Sequence, residues 1–209
     1  MNRNVFIKKY PAPAPDIAEI KRYMGDRGNN RAVEEVLLEC IEESRDCLDC
    51  RVCWGIYPVT VTESGVDFGF ARARSAHLAK NLEGADKAVI FAATAGLRID
   101  RLIKEYAALS PLKSLCFDAI GTDAVENLCN LFNAETGERY TLCRPRFSPG
   151  YGDLDISFQK KIFEELPVSS GIGVFLSDSL QMTPTKSVTA IIGVKDENTR
   201  FHKTEYRPA

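Results

Sequence analysis

The octapeptide Arg146–Asp153 reads Arg-Phe-Ser-Pro-Gly-Tyr-Gly-Asp and interrupts the regular patterns on either side of it. Pro149 has no backbone N–H to give to a sheet, and Gly150 and Gly152 disfavour a helix, so we predict an irregular loop or edge segment. Arg146 has a planar fork suited to a carboxylate or phosphate. By local chemistry alone a surface turn is favoured, and a small-molecule contact strip is the alternative. We call this segment the Arg146 strip.

The composition is that of a globular protein, with 44% hydrophobic and 27% charged residues in 209. This length predicts one domain over residues 1–209. The net charge of −2 gives no electrostatic basis for binding nucleic acid or an anionic membrane. No apolar run approaches the roughly 20 residues of a transmembrane helix, and residues 1–6 lack the apolar stretch of a signal peptide. We therefore expect a cytoplasmic location.

Hydrophobic periodicity predicts helices and strands that alternate irregularly along the chain. The predicted helices cover 16–24, 31–46, 75–81, 99–109, 112–133 and 156–166, and the predicted strands cover 51–62, 66–70, 88–93, 139–142, 173–179 and 187–194. Because the order mixes helices with strands that look antiparallel, we predict the α+β class, with a twisted, mainly antiparallel sheet and flanking helices.

The long helix predicted over 112–133 has an apolar face and a polar one. Asp118, Thr122 and Glu126 are spaced four residues apart and therefore share a face. The spacing alone favours a solvent-exposed face.

The seven cysteines are an odd number, which favours free thiols in a reducing compartment. Cys47, Cys50 and Cys53 form a C-x2-C-x2-C run similar to an iron–sulfur motif. The predicted elements spread these thiols over a helix end and a strand, and no fourth ligand follows the run. An iron–sulfur redox protein that uses these three cysteines remains an alternative.

Other catalytic motifs are missing from the sequence. No Ser/His/Asp or Cys/His constellation is legible, and the two G-x-G triplets at 150–152 and 171–173 lack the strand and helix context of a dinucleotide site. Residue chemistry alone therefore predicts an α+β domain with one candidate contact strip.

Four stretches, in order, resemble the reactivation (S-adenosylmethionine-binding) domain of cobalamin-dependent methionine synthase, in a stand-alone form. They are Ala92–Gly96, like the family's T-x-G turn; Asp118–Glu126; the Arg146 strip, like R-x-x-x-G-Y; and Leu180–Val188, like M-x-P-x-x-S-V. They lie within residues 75–194, whereas residues 1–74 match more loosely and 195–209 form a polar tail. The resemblance implies a methionine synthase activation-like domain.

The resemblance also implies a binding site for S-adenosylmethionine. Arg146 falls on the family's ligand-binding arginine, whose fork suits the carboxylate of the methionine moiety. Ser148 and Gly150 fall where backbone lines the ligand, and Tyr151 falls on the aromatic residue beside the sulfonium or adenosyl portion. Glu126 falls on a helix carboxylate that faces the same groove, within reach of the ligand's ammonium or hydroxyls.

Two positions depart from the family pattern. The aspartate contact near the end of the first helix falls on Gly25, so the adjacent Asp26 is assigned to it. The tyrosine contact after the last matched strand has no counterpart in register within Glu197–Phe201. The resemblance therefore implies a groove with fewer ligand contacts.

In that family the domain covers a corrinoid that has oxidised to cob(II)alamin. One electron from flavodoxin or a comparable donor is coupled to methyl transfer from S-adenosylmethionine. The resemblance implies a reactivation module that serves a cobalamin-binding methionine synthase polypeptide and does not complete catalysis alone. The alternative within the same fold is a corrinoid-protein-binding partner that does not bind S-adenosylmethionine.

Overall fold

The computed structural model describes residues 5–26, 28 and 30–196. The helices are α1 Ile17–Tyr23, α2 Arg31–Ser44, α3 Ala76–Asn81, α4 Leu97–Leu109, α5 Pro111–Gly137, α6 Phe158–Glu165 and α7 Val168–Ile172, with a 3-10 turn at Arg45–Cys47. The strands are β1 Val5–Lys9, β2 Arg51–Pro58, β3 Thr60–Thr62, β4 Gly65–Asp67, β5 Arg72–Ala73, β6 Lys87–Thr94, β7 Leu142–Cys143, β8 Phe175–Leu176, β9 Met182–Thr183 and β10 Ser187–Lys195. None of the described helices is long and apolar enough to cross a membrane.

The main sheet has the strand order β1-β2-β6-β10-β7, and each of its described pairs is antiparallel. Its central strands are covered on both faces, which explains the unbroken apolar run of β6. Phe91 packs on the face covered by α5, and Ile90 packs on the face covered by α3, α6 and α7. The predicted α+β class and the mainly antiparallel sheet are confirmed.

Helix α5 lies between the sheet and a second group of helices. Leu128 and Phe132 pack on the sheet, whereas Cys116 and Phe117 pack against residues of α1, α2 and α4. At 27 residues it is about 40 Å long. Because most of its circumference is buried, the face that carries Asp118, Thr122 and Glu126 is its main polar stripe.

Three predicted helix starts are confirmed by their caps. The Asp16 carboxylate accepts hydrogen bonds from Ala18 and Glu19 N–H, and Asn30 and Ser75 cap α2 and α3 in the same way. Such caps satisfy N–H groups that have no partner within the helix.

Several strand predictions are wrong in extent, and the strand predicted over 139–142 overlaps β7 only at Leu142. The strand predicted over 51–62 breaks at Val59, whose N–H donates to the Asp86 carbonyl, and β3 then joins a separate small sheet with β4 and β5. The strand predicted over 173–179 is reduced to the two residues of β8, because Gly173 takes a φ of +72° to end the short, unpredicted helix α7.

One edge of β10 is partly uncovered. Strand β7 pairs only with Val194 and Lys195, and Phe147 makes an isolated bridge to Ile191. In the described part of the chain, no strand covers this edge along 187–190. The uncovered length lies between the start of β10 and the Arg146 strip.

Candidate functional site

The four stretches that carry the resemblance meet around α5 and the uncovered edge of β10. The Ala95 N–H donates to the Lys186 carbonyl at 2.9 Å, which joins the turn after β6 to the start of β10. Thr94 Oγ1 accepts hydrogen bonds from the Gly96 N–H and from the Ser187 hydroxyl. Side chains of the last two stretches then reach α5 from two directions.

The polar face of α5 is longer than the sequence predicted. Asn130 continues the spacing of Asp118, Thr122 and Glu126, and these four residues form what we call the polar stripe. Two cations contact it, Arg146 at its C-terminal half and Lys186 at its N-terminal half. The stripe is therefore partly exposed to solvent, as its spacing favoured, and it also contacts two cations from other parts of the chain.

Arg146 holds its place through two side chains of the stripe. Its Nη2 donates to Glu126 Oε2 and its Nη1 donates to Asn130 Oδ1, each at 2.6 Å. A guanidinium has five N–H donors, so these two hydrogen bonds leave donors for a further acceptor. With the Arg146 side chain 25% and the Glu126 side chain 39% exposed, both charges remain accessible side by side. Such a pair suits a zwitterion, whose carboxylate would meet Arg146 and whose ammonium would meet Glu126.

The Arg146 strip is an irregular segment, as predicted. Phe147 and Ile191 exchange both backbone hydrogen bonds at 2.9 Å, which ties the strip to the edge of β10. Gly150 has a φ of +88°, a conformation that favours glycine, and its N–H donates to the Leu154 carbonyl at 2.8 Å. The half-buried Ser148 accepts the Tyr151 N–H through its carbonyl.

Tyr151 presents its ring to solvent at the tip of the strip. Tyr151 is 70% exposed. Its ring meets the Phe147 ring edge-on, with 5.4 Å between the two ring centroids. An exposed aromatic face of this kind can cover an apolar or cationic part of a ligand.

Asp153 anchors the end of the strip to the start of α3. Its carboxylate accepts hydrogen bonds from the Ser75 hydroxyl, from the Ala76 N–H at 2.8 Å and from the His77 N–H at 3.2 Å. The Ser75 hydrogen bond, followed by those from the two backbone N–H groups, lowers the pKa of Asp153. Sequence reasoning named Asp153 only as the end of the octapeptide and missed its anchoring role.

Lys186 is more deeply buried than Arg146, with its side chain 12% exposed against 25%. Its Nζ donates to Asp118 Oδ1 at 2.8 Å and to Thr122 Oγ1 at 3.0 Å. Its stem crosses α5 at Gly121, where an added Cβ would lie 2.9 Å from Lys186 Cγ. The buried Asp100 carboxylate accepts from the N–H and the hydroxyl of the preceding Thr185.

Asp26 has no described contact with Arg146 or Glu126. Its Oδ1 accepts the Gly28 N–H at 2.9 Å, and its Oδ2 is buried without a hydrogen-bond partner among the described residues. The assignment of Asp26 to the site stays a prediction. The expected difference at Glu197–Phe201 lies outside the described residues.

Tyr23 is a neighbour of the site that sequence reasoning missed. It lies half-buried at the end of α1, and burial followed by the negative charge of Glu126 raises the pKa of its hydroxyl. The signal available in the sequence was the position of Tyr23 at the end of the helix that precedes Asp26.

The cysteine run does not form a cluster. Cys50 packs on the α5 face of the sheet and Cys53 on the opposite face, so their side chains diverge. Burial raises the pKa of Cys50 to about 11 and that of Cys53 to about 12, which opposes formation of thiolate ligands. Within the described residues, no group of three or more metal-ligating side chains is placed to hold a metal ion. The geometry therefore gives the iron–sulfur alternative no support.

No family model matches the sequence, and no curated protein matches it. The fold, however, is similar to the crystal structure of the MetH reactivation domain bound to AdoHcy, with a TM-score of 0.68. The similarity covers 95% of this chain and 80% of that chain, at 13% sequence identity. The chain therefore has the fold of the MetH reactivation domain, as the four ordered stretches implied.

Proposed function

We propose that this chain binds S-adenosylmethionine beside the polar stripe of α5 and reactivates a cobalamin-dependent methionine synthase by reductive methylation. The observation that carries the proposal is the Arg146–Glu126 pair, in which both charges are accessible beside the backbone of the strip. The fold of the MetH reactivation domain, there bound to AdoHcy, is the supporting comparison.

The described residues fit the amino-acid end of S-adenosylmethionine. Arg146 has unused N–H donors for the carboxylate after its hydrogen bonds to Glu126 and Asn130 are counted. Glu126 offers a carboxylate to the ammonium, and the exposed ring of Tyr151 offers its face to the sulfonium. The missing Cβ of Gly150 leaves room for Ile156, whose Cδ1 would lie 2.8 Å from an added Cβ, and the exposed backbone of Gly150 would line the ligand.

The chain's residues would bind and orient the ligand, and the chemistry would take place at the partner's corrinoid. When bound, S-adenosylmethionine supplies a methyl group, and a donor such as flavodoxin supplies the one electron with which cob(II)alamin becomes methylcobalamin, leaving S-adenosylhomocysteine. The proposed partner is a cobalamin-binding methionine synthase polypeptide. In the proposed complex, Tyr151 and the strip would lie at the surface that meets the corrinoid.

Calorimetric titration with S-adenosylhomocysteine, which is chemically stable, tests the binding step. We expect Arg146→Ala to weaken binding by at least about tenfold, the scale of one lost charge-assisted hydrogen bond. Arg72→Ala is the matched control, since Arg72 also pairs with a carboxylate at 2.6 Å but lies on the separate small sheet.

Unchanged affinity in Arg146→Ala would contradict the carboxylate contact. No binding by the native chain would favour the alternative of a corrinoid-protein partner that does not use S-adenosylmethionine. A pull-down of the native chain on a cobalamin-binding methionine synthase, with and without the ligand, then tests the partner separately.

A further inference from the structure

The N-terminal half of the polar stripe has the features of a second, separate subsite. Lys186 Nζ, Asp118 Oδ1 and Thr122 Oγ1 form one hydrogen-bonded cluster on the same face of α5 as Glu126. Thr122 lies one helical turn before Glu126, about 6 Å along the axis, and Asp118 lies about 12 Å before it. A ligand that is bound at Arg146 and extends toward the start of α5 would therefore meet this cluster next.

The cluster has unused hydrogen-bonding capacity at the surface. The Asp118 side chain is 54% exposed, and its Oδ2 has no hydrogen-bond partner among the described residues. Lys186 uses two of the three N–H donors of an ammonium group in its described hydrogen bonds. One acceptor and one charged donor are therefore available side by side.

The cluster is also fixed in position before any ligand arrives. The Lys186 side chain is only 12% exposed, because its stem lies against Gly121. Its backbone carbonyl accepts from Ala95 N–H, and Asp100, 5% exposed, holds the preceding Thr185 with two hydrogen bonds. Side chains held this way lose little conformational freedom when they bind a ligand.

We propose that Asp118 and Lys186 form a subsite for a vicinal diol, which the ribose of the adenosyl group supplies. The 2′-hydroxyl would donate to Asp118 Oδ2, and the 3′-hydroxyl would accept from the third N–H of Lys186. A carboxylate that accepts a ribose hydroxyl is a common arrangement in nucleotide sites. This inference rests on the proposed function and assigns the adenosyl end of the same ligand.

The test combines two variants with two ligands in calorimetric titrations of the full chain. Asp118→Asn and Lys186→Met should each weaken S-adenosylhomocysteine binding by about tenfold. The native chain should bind the 2′-deoxyribosyl analogue about tenfold more weakly than S-adenosylhomocysteine, whereas Asp118→Asn should bind both ligands alike. If Asp118 and Lys186 formed only a structural ion pair, Asp118→Asn would leave the preference for S-adenosylhomocysteine over the deoxy analogue unchanged.

Lys161→Met is the matched control, because Lys161 pairs with Glu164 at the same 2.8 Å on the exposed side of α6. Full affinity in Asp118→Asn and Lys186→Met, together with weakened binding in Arg146→Ala, would overturn the diol subsite and leave the proposed function standing. Discrimination against the deoxy analogue that persists in Asp118→Asn would also overturn it. Absence of binding by the native chain would overturn both proposals.

Discussion

Arg146 and Lys186 reach the same stripe of α5, but the chain holds the two cations in different ways. Arg146 belongs to an irregular strip that is hydrogen-bonded at Phe147 and Asp153, whereas Lys186 immediately precedes β10 and its stem crosses Gly121. The Arg146 end keeps more unused donors and more exposure, at 25% against 12% for Lys186. The comparison indicates a more accessible Arg146 end beside a more buried Lys186 end.

Among the variants that test this comparison, Asp100→Ala should have the largest effect on stability. The change leaves the Thr185 N–H and hydroxyl without their acceptor at a buried site, so we expect a loss of about 3 kcal/mol in the free energy of unfolding. Urea denaturation measures this loss. Asp100→Asn, which keeps one oxygen acceptor, should lose less, and a loss below about 1 kcal/mol in Asp100→Ala would show that the sheet alone holds Lys186 in place.

Asp153→Asn should release the strip without disturbing the Lys186 end. We expect S-adenosylhomocysteine affinity to fall by about tenfold, since the strip loses its anchor on α3 while Arg146 remains present. Discrimination against the deoxy analogue should persist in this variant. Equal affinities of the native chain and Asp153→Asn would show that the Phe147 bridge positions the strip unaided.

The anchoring role of Asp153 predicts that the stability of the protein depends on pH. The folded-state pKa of Asp153 lies below its unfolded value of about 3.9, so its contribution to stability is present above that pH and is lost as the pH falls through the folded pKa. The difference in Tm between the native chain and Asp153→Asn should therefore stay constant above about pH 5 and narrow as the pH falls below about 3.9. A difference that stays constant over the whole pH range would contradict the anchoring role of the charged carboxylate.

Gly121→Ala should act on the Lys186 end alone. The new Cβ would lie 2.9 Å from Lys186 Cγ and 3.1 Å from Ile99 Cγ1, but alanine also favours the helix by about 1 kcal/mol. We expect a net change in unfolding free energy within about 1 kcal/mol, together with loss of discrimination against the deoxy analogue. Discrimination that survives would show that the Lys186 stem can shift without moving its ammonium.

The smallest effect on stability is expected from Tyr151, because it is 70% exposed. Tyr151→Ala and Tyr151→Phe should both change the free energy of unfolding by less than about 0.5 kcal/mol. If the ring covers the sulfonium, only Tyr151→Ala should weaken S-adenosylmethionine binding, by about fivefold. Equal weakening in both variants would assign the role to the hydroxyl.

The sequence predicted the central elements well because their signals are local. The apolar run of β6, the periodic faces of α5 and the caps at Asp16 and Ser75 each lie within a few residues of the structure they specify. Short elements such as α7 and β9 were missed, because their length gives periodicity too few residues to register.

The candidate site was predicted only in part. The four ordered stretches, and the placement of Arg146 and Glu126 at one groove, were accessible from residue chemistry and resemblance, whereas their direct pairing was not predicted. The roles of Lys186, Asn130 and Asp153 depend on contacts between residues distant in the chain, such as the 68 positions that separate Lys186 from Asp118. Helical spacing placed Asp118 and Thr122 on one face but carried no information about the cation that faces them.

The uncovered edge of β10 has a consequence for how this protein behaves at high concentration. Backbone donors and acceptors without a neighbouring strand are a template on which another chain can add and aggregation can start. Here the unpaired length is only about four residues, of which Ser187, Thr189 and Ala190 are buried. Lys186 places a charge at one end, and Pro149, which has no N–H, lies in the strip that flanks the other. The residues around the proposed ligand groove thus also guard it against intermolecular strand pairing, so the groove can stay open without promoting self-association.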